Sequence, residues 1–257
     1  MKKHNWPYNI IAKFYDYDMT LNMPFDDTKA YLNMIGKTPG KLMELGAGNG
    51  RLTLSFLNAG WDILAIDRSQ PMLNELLIKT NNSPYKDKLK CLYANVEDLI
   101  DLDTEYFDVV ILPYSIICYL LDSRKIHKLL KNIRKSLKSN GLLIVDAFVP
   151  NIDSSQKSEF TQDYQRQTPF GILSRYKRIN YDFKPNINLI ERRYTLNSKN
   201  QMKEYETFSY IKPYTPNQLC KLIKNSNFQI NAKYFDYSLN GNNKKAKFFT
   251  LTATKEP

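Results

Sequence analysis

The segment from Lys41 to Arg51, Lys-Leu-Met-Glu-Leu-Gly-Ala-Gly-Asn-Gly-Arg, constrains the fold more than any other stretch of this sequence. Its apolar start predicts a buried strand, its three glycines predict a tight turn, and the apolar-periodic residues that follow predict a helix. Strand, glycine-rich turn and helix together bring backbone N–H groups and a helix N-terminus against a ligand. Glycine suits this turn because it adopts positive φ angles and allows close approach to the backbone. The segment therefore predicts a ligand site.

Strand and helix patterns alternate from this segment to about residue 150. Further buried strands are predicted at 62–66, 90–93, 107–112 and 142–145. Continuous apolar strands with helices between them are typical of a doubly wound parallel sheet that is covered on both faces. Two more strands, at 228–237 and 247–254, follow a helix that Thr215 is expected to cap. The fold class predicted from this pattern is α/β.

The pattern changes after Pro150. Residues 151–171 are polar without a clear period, and three strand-like runs follow at 172–181, 187–196 and 203–211. Short polar turns between these runs predict an inserted antiparallel meander. The expected domains are therefore 1–150 together with 213–257 as the ligand-binding domain, and 151–212 as inserted strands that form a substrate lid.

The glycine spacing narrows the class of ligand. It runs Gly46-x-Gly48-x-Gly50, and Arg51 stands where a G-x-G-x-x-G dinucleotide motif would continue. Glu44 lies in the strand, two residues before the first glycine. A carboxylate there would repel a pyrophosphate and attract an ammonium group. The loop therefore favours a ligand that carries an amino acid over a dinucleotide.

Side chains at the ends of the next strands fit the remainder of such a ligand. Asp67 ends the second strand, where a carboxylate accepts hydrogen bonds from ribose hydroxyls. Asn95 and Val96 follow the third strand, where a side-chain amide and a backbone N–H can contact an adenine edge. Met72 can lie against the ring. Together these residues describe a pocket for an adenosine that carries an amino acid.

These motifs resemble those of the class I S-adenosylmethionine-dependent methyltransferases. Five segments carry the resemblance, namely 44–50, 65–67, 95–96, 107–113 and 138–145. The resemblance implies a Rossmann-like, mostly parallel seven-stranded sheet that is closed by an antiparallel C-terminal hairpin. It implies S-adenosylmethionine as cofactor and S-adenosylhomocysteine as product. Many members have Asp where this chain has Asn95, whose carbonyl oxygen can still accept a hydrogen bond.

The resemblance also implies which residues bind the cofactor. They lie at the strand ends, in the glycine loop and in the N-terminal segment, and they are Tyr15, Glu44, Gly46, Ala47, Gly48, Arg51, Asp67, Arg68, Met72, Asn95, Val96 and Pro113. The segment from Tyr8 to Asp16 is similar to the leading segment of small-molecule members, including sugar N-methyltransferases. In those members an early tyrosine lies over the cofactor.

The acceptor site is expected under the inserted strands. Tyr15 and Tyr114 are candidates for positioning the reacting groups, although Tyr114 can equally be a packing aromatic. The residues expected to contact the acceptor are Tyr8, Tyr114, Ser115, Tyr176, Arg178, Arg192 and Tyr210. For those in the inserted strands, a solvent-facing position on the sheet is favoured over contact with the acceptor. The two histidines, His4 and His127, are expected at the terminus and on the surface. A hydroxyl nucleophile usually needs a base, so the lack of histidine favours an amine acceptor, or an acceptor acidic enough to need no base.

Charge leaves a second class of function open. The net charge is +11, of which residues 151–257 contribute +9, and this favours an RNA or tRNA methyltransferase as one alternative. The lysines are scattered, however, so a nucleic-acid partner is disfavoured. A non-catalytic scaffold with the same fold is the other alternative.

The cysteines and the hydropathy of the sequence indicate the compartment in which the protein functions. The three cysteines lack metal-ligand spacing, so no metal is expected, and an odd count of free thiols indicates a reducing compartment. No apolar run reaches membrane-spanning length. These features predict a cytoplasmic protein without a membrane partner. Together with the resemblance, the sequence predicts a monomer or homodimer that methylates a small molecule in specialised metabolism.

Overall fold

The computed structural model describes residues 7–22, 26–36, 38–99, 102–149, 157–182, 186–199, 201–239, 241 and 246–256. Eleven strands form two sheets in this part of the chain. In chain order the strands are β1 (Lys41–Leu45), β2 (Asp62–Asp67), β3 (Leu89–Tyr93), β4 (Phe107–Leu112), β5 (Leu137–Phe148), β6 (Lys157–Thr168), β7 (Gly171–Asp182), β8 (Ile187–Ser198), β9 (Gln201–Ile211), β10 (Phe228–Phe235) and β11 (Phe248–Lys255).

The larger sheet has seven strands in the order β10-β11-β5-β4-β1-β2-β3. Strands β1 to β5 run parallel to one another, whereas β11 runs antiparallel to both β5 and β10. This confirms the mostly parallel seven-stranded sheet with an antiparallel C-terminal hairpin. The carboxyl ends of β1, β2, β3 and β4 meet at one edge, where open α/β sheets bind their ligands.

Seven α-helices accompany the sheets in the described residues. They are α1 (Pro7–Ile11), α2 (Tyr15–Asn22), α3 (Asp27–Ile35), α4 (Thr53–Asn58), α5 (Gln70–Thr80), α6 (Ser123–Ser136) and α7 (Pro216–Lys224). Asp26, Ser69 and Thr215 each accept a backbone hydrogen bond at a helix N-terminus. Thr215 and Gln218 form a complete capping box, which confirms the cap expected from the sequence.

The large sheet is covered on both faces. Met43 and Leu45 of β1 point into a core that includes Ile126 and Ile133 of α6. Leu42 of β1 belongs to a second core, with side chains of α3, α4 and α5. Successive residues of one strand thus enter different cores, which explains why β1 reads as a continuous apolar run rather than an alternating one.

The smaller sheet differs from its sequence prediction. It has four antiparallel strands in the order β6-β7-β8-β9, whereas the sequence predicted three. The additional strand, β6, lies in the polar stretch 151–171, where no strand was predicted. Its pairing with β7 shifts register at two places, so polar and apolar residues do not alternate along it. β6 therefore forms by pairing with β7, although its own sequence has no apolar period.

The N-terminal helices lie between the two sheets. Phe14 packs against Tyr194 and Tyr205 of the small sheet, with ring centroids 5.6 and 5.9 Å apart. Asp18 of α2 forms a buried ion pair with Arg175 of β7, at 2.6 Å. These contacts position residues 7–22 as a cover over the strand ends. Among the helices described, none combines the length and the apolar character that a membrane span requires.

Candidate functional site

A cavity of about 930 Å³ opens at the carboxyl ends of β1 to β4, and we call it the strand-end cavity. All twelve residues that the sequence suggested for cofactor binding line it. The cavity also contains residues that the sequence did not suggest for that role, namely Tyr8, Leu52, Glu97, Tyr114, Ile116, Tyr119 and Leu120. The strand-end motifs therefore converge on one site.

The glycine loop is shaped for close approach. Gly46 and Gly48 have φ angles of +82° and +58°, which residues other than glycine rarely adopt. A Cβ atom on Gly46 would lie 2.2 Å from Cδ1 of Ile116. A Cβ atom on Gly48 would meet no atom within 4 Å, although Gly48 lines the cavity. The space beside Gly48 is thus open to a ligand that packs against bare backbone.

The N–H groups of this loop are already used within the protein. Gly46 and Ala47 both donate to the carbonyl oxygen of Ile66, at 2.7 and 3.0 Å. Gly48 donates to Oδ2 of Asp67 at 2.8 Å. A phosphate site needs such N–H groups to point at the ligand. Their internal partners make this loop a poor pyrophosphate cradle, which agrees with the interpretation drawn from its spacing.

Asp67 ends β2 with its carboxylate at the cavity. It is 8% exposed, and it accepts hydrogen bonds from the backbone N–H groups of Gly48 and Ser69, each at 2.8 Å. Burial raises the pKa of Asp67, and these two N–H donors oppose that rise. Each carboxylate oxygen keeps a further lone pair, so the group can accept the two hydroxyls of a ribose.

Glu44 places a second carboxyl group at the cavity. It is buried in β1 and accepts a hydrogen bond from Oγ1 of Thr53 at 2.6 Å. Burial raises the pKa of Glu44 to about 7, against the lowering effects of Thr53 and Arg51. An ammonium group beside Glu44 would favour its ionised form. Glu44 therefore suits the amino group of an amino-acid ligand.

Asn95 and Met72 line the end of the cavity beside β3 and α5. Asn95 follows β3, and its amide nitrogen donates to Oδ2 of Asp98 at 3.0 Å. That bond leaves the Asn95 carbonyl oxygen as the acceptor for a ligand. Met72, in the first turn of α5, is buried beneath the cavity. Both residues line the strand-end cavity.

The N-terminal segment closes the roof of the strand-end cavity. Asn49 of the glycine loop donates from Nδ2 to Oδ1 of Asp16 at 2.8 Å. Lys79 of α5 pairs with Oδ2 of the same carboxylate at 2.7 Å. Asp16 thus ties α2 to both the loop and α5. Tyr15, its neighbour, lines the cavity as the resemblance implied.

A second cavity, of about 1170 Å³, lies between the small sheet and the carboxyl ends of the large one, and we call it the inter-sheet cavity. Four tyrosines line both cavities, and we call them the tyrosine wall: Tyr8, Tyr15, Tyr114 and Tyr119. The hydroxyls of Tyr8 and Tyr119 are hydrogen-bonded at 2.8 Å. Burial raises the pKa of Tyr8, Tyr15 and Tyr114, so these hydroxyls stay protonated near neutral pH. Tyr8, Tyr15 and Tyr114 therefore line both cavities with neutral side chains.

A buried carboxylate holds the turn that carries part of the wall. Tyr114 and Ser115 have φ angles of 50° and 61°. Asp146 of β5 accepts hydrogen bonds from both their N–H groups, and from the hydroxyls of Tyr31 and Tyr237 at 2.5 and 3.0 Å. Burial raises the pKa of Asp146 to about 6, and these donors oppose the rise. Asp146 was not predicted as a site residue, although an acid inside the apolar run of β5 was the available signal.

The structure corrects part of the predicted acceptor site. Arg192 lines the inter-sheet cavity, but Tyr176 and Arg178 do not. Side chains alternate across a strand, and in β7 the cavity receives Arg175 and Lys177 instead. Arg178 pairs on the outer face with Glu191 at 2.7 Å. The acceptor contacts assigned to Tyr176 and Arg178 are therefore wrong.

Two further predicted contacts are corrected. Tyr210 of β9 lies on the outer face, is 46% exposed and packs against Phe208. The cavity-facing residues of β9 are Thr207 and Ile211. Ser115 is fully buried in the turn that Asp146 holds, and it lines neither cavity.

Histidine does not serve as a base in either cavity within the part of the chain that the structure describes. His127 is exposed on α6, where Nδ1 lies 3.4 Å from Oγ of Ser226. His4 falls outside the described residues. Among the residues that are described, the carboxylate of Asp18 is the acidic group that lines the inter-sheet cavity, and Arg175 and the hydroxyl of Tyr164 already hold it, each at 2.6 Å.

The central part of the chain matches known methyltransferases in sequence. Residues 43–143 match the family model described as "Methyltransferase domain". The chain is 22% identical over 139 residues to "Putative methyltransferase YqeM" of Bacillus subtilis, which is 54% of each protein. It is 28% identical over 82 residues, 31% of this chain, to "Ribosomal RNA small subunit methyltransferase" of Arabidopsis thaliana. The matches span about half of the first relative and 22% of the second.

Solved structures match over nearly the whole chain. The methyltransferase CcbJ of Streptomyces caelestis superposes with a TM-score of 0.81 and 16% identity, over 98% of this chain and 99% of that one. An S-adenosylmethionine-dependent methyltransferase of Clostridium acetobutylicum gives 0.79 and 18%, over 97% and 99%. S-adenosylmethionine-bound CalS10 of Micromonospora echinaspora, an amino pentose methyltransferase, gives 0.71 and 12%, over 94% and 96%. These matches confirm the expected fold.

Proposed function

Because residues 43–143 carry a methyltransferase domain within the fold of S-adenosylmethionine-dependent methyltransferases, we propose that this chain methylates a small molecule, with an amine favoured over a hydroxyl as acceptor. The tyrosine wall carries this proposal, since its four side chains face the strand-end cavity on one side and the inter-sheet cavity on the other. Cofactor and acceptor occupy the two cavities and meet at the wall. We assign residues 151–212 as the cover of the acceptor.

The strand-end cavity fits S-adenosylmethionine, the cofactor expected from the sequence and bound in CalS10. Asp67 would hold the ribose, Asn95 the adenine edge, and Glu44 the ammonium group. Gly48 gives the open backbone against which the ligand packs, because a Cβ there would project into free space. When bound, this cofactor supplies an electrophilic methyl group on a sulfonium.

The protein's own contribution is alignment and exclusion of water. Methyl transfer needs the nucleophile in line with the bond that breaks, and a rigid pair of adjoining cavities supplies that orientation. Tyr15 and Tyr114 stand between the cavities and are assigned this positioning role. Their raised pKa values keep them protonated, so they act as hydrogen-bond donors rather than as bases.

The charges of the acceptor cavity favour an amine. A hydroxyl nucleophile needs a base, but the Asp18 carboxylate is held by Arg175 and Tyr164. An amine needs only to lose one proton, and nearby cations lower the pKa of a bound amine. We place the reaction in specialised metabolism, because CalS10 is described as involved in calicheamicin biosynthesis and shares the fold.

Calorimetry with S-adenosylmethionine tests the proposal. Asp67→Ala should weaken binding by about 1–3 kcal/mol, as expected when a charged hydrogen-bond partner is lost. Asp62→Ala is the matched control, because Asp62 lies exposed at the other end of β2 and should leave the affinity unchanged. Binding of a nicotinamide cofactor in place of S-adenosylmethionine would contradict the proposal.

An RNA acceptor is the second candidate. It is favoured by the match to the ribosomal RNA methyltransferase over 82 residues and by the +9 charge of residues 151–257. RNA binding would be tight and would weaken steeply with salt, because each phosphate contact releases counterions. Filter binding between 50 and 200 mM salt (about the range over which such contacts weaken) decides between the candidates, since a small-molecule enzyme gives no such binding.

A further inference from the structure

The lining of the inter-sheet cavity carries more positive than negative charge. Four cationic side chains line it, namely Arg175, Lys177, Arg192 and Lys247. Among the described residues, one carboxylate, that of Asp18, lines it with them. Such an imbalance in a partly closed space attracts anions. Some of these cations already form ion pairs within the protein.

Two of the four are neutralised by the fold. Arg175 pairs with Asp18 at 2.6 Å and with Asp163 at 2.9 Å. Lys177 pairs with the other oxygen of Asp163, at 3.1 Å. These three-way contacts join α2, β6 and β7. Arg175 and Lys177 therefore have a structural use that needs no ligand.

Arg192 has no such partner among the described residues. Its guanidinium donates to Oγ of Ser209 at 3.2 Å, and within the described part of the chain it forms no ion pair. A guanidinium carries five N–H donors, and removing it from bulk water is costly unless an anion meets it. The positive charge of Arg192 also opposes the rise in the pKa of Tyr8 that burial causes, so Arg192 lies near the tyrosine wall.

The outer face of the same sheet shows what a neutralised arrangement looks like. Arg193, the next residue of β8, pairs with Glu206 at 2.8 Å. Arg178 pairs with Glu191 on that face at 2.7 Å. The small sheet thus supplies carboxylates to its solvent-facing arginines. Its described residues supply none to Arg192, which is the arginine that faces the cavity beside the wall.

We propose that the methyl acceptor carries an anionic oxygen group, a carboxylate or a phosphate, which pairs with Arg192 in the inter-sheet cavity. This inference rests on the proposed function. A guanidinium binds either group through two parallel N–H···O bonds, which fixes orientation as well as affinity. Lys247, exposed at the cavity lining, adds attraction for the incoming anion. Anchoring one end of the acceptor at Arg192 leaves its nucleophile free to meet the wall.

Anion titration tests this inference without knowledge of the acceptor. Sodium benzoate and inorganic phosphate are titrated calorimetrically into the full chain, in chloride buffer, with and without S-adenosylhomocysteine. Arg192→Gln should weaken binding of the preferred anion by about tenfold or more, as for a lost charge-assisted pair. Arg193→Gln is the matched control, because it removes an equal charge from the outer face of the same strand, and it should bind as the unaltered chain does.

The outcomes separate the two claims. Tighter binding of benzoate assigns a carboxylate, and tighter binding of phosphate assigns a phosphate. Failure of both anions to bind, or equal binding by Arg192→Gln, overturns the inference. Failure of S-adenosylhomocysteine to bind contradicts the proposed function instead, and a loss of anion binding in Arg192→Gln without it still supports the anion site.

A conservative variant guards against a misfolded protein. Arg192→Lys keeps the charge and loses the two-pronged geometry, so its affinity should fall between those of the unaltered chain and Arg192→Gln. Arg192→Gln should also unfold at a temperature no lower than the unaltered chain, because it removes a cation that lacks an ion-pair partner among the described residues. A marked loss of stability in both variants would mean that Arg192 supports the fold, and would overturn the inference.

Discussion

The two cavities differ in how the fold holds their polar groups. In the strand-end cavity, backbone N–H groups donate the hydrogen bonds that hold Asp67 and the turn after β4 in place. In the inter-sheet cavity side chains hold one another, as in the pair of Asp18 with Arg175, and Arg192 is left for a ligand. Backbone partners survive changes of sequence, whereas side-chain partners change with single residues. The first cavity is therefore suited to a fixed cofactor and the second to a variable acceptor.

The largest effect is expected at the ion pair that joins the small sheet, beside the inter-sheet cavity, to the N-terminal segment. Arg175→Gln leaves the buried carboxylate of Asp18 without its charge partner, which should lower the free energy of unfolding by about 3–5 kcal/mol. Arg178→Gln, on the outer face of the same strand, should cost less, because its ion pair is partly exposed and Glu191 can regain water when the arginine is lost. Urea unfolding of both variants measures the difference. Equal losses would contradict the distinction between the two faces of β7.

A smaller loss is expected where the two cavities meet. Asp146→Asn places an amide N–H₂ group among donors from Tyr31, Tyr114, Ser115 and Tyr237, which should lower the free energy of unfolding by about 2–4 kcal/mol. The same method applies, with the exposed Asp103→Asn as control. A stability within error of the unaltered chain would show that the turn carrying Tyr114 does not depend on this carboxylate.

The smallest effect is expected in the strand-end cavity and concerns the pH dependence of S-adenosylmethionine affinity. Burial raises the pKa of Glu44 to about 7, so the carboxyl group gains a proton as pH falls through 7 and loses its attraction for an ammonium group. S-adenosylmethionine affinity should therefore fall from pH 8 to pH 6, by at most about tenfold per pH unit, or about 1.4 kcal/mol. Calorimetry across this range measures it.

Glu44→Gln provides the control for that titration. It removes the carboxyl group while keeping an acceptor oxygen for Thr53, so its affinity should be lower at pH 8 and should depend less on pH. Any slope that remains would come from groups other than Glu44, the ligand's own amino group among them. An identical slope in both proteins would show that Glu44 does not face the cofactor's charge.

The same contrast explains what the sequence could reveal. The strand-end cavity follows from local spacing, because Gly46, Gly48, Asp67 and Asn95 each sit at a strand end, and parallel strands bring their carboxyl ends together. Local spacing is therefore enough to predict that these residues share one cavity. It does not reach Asp146, whose role depends on tyrosines from α3 and from the turn after β10.

The small sheet was harder to predict because both of its faces carry charged and aromatic side chains. Without polar-apolar alternation, the sequence does not determine which alternate side chains of β7 and β9 face the cavity. A one-residue error in this assignment moves every side chain to the other face. That is why Tyr176, Arg178 and Tyr210 were expected in the cavity while Arg175 and Lys177 were missed. The bulged strand β6 was missed for the same reason.

The N-terminal segment contributes to both cavities, and this has a consequence for turnover. Asp16 fastens it to the glycine loop and to α5, while Asp18, one helical half-turn away, fastens it to the small sheet. Tyr8 and Tyr15 of the same segment face both cavities. Displacing one short segment therefore uncovers both compartments together. If the proposed function holds, the spent cofactor and the methylated product would leave in one shared opening event, and the rate of that opening would limit the catalytic cycle.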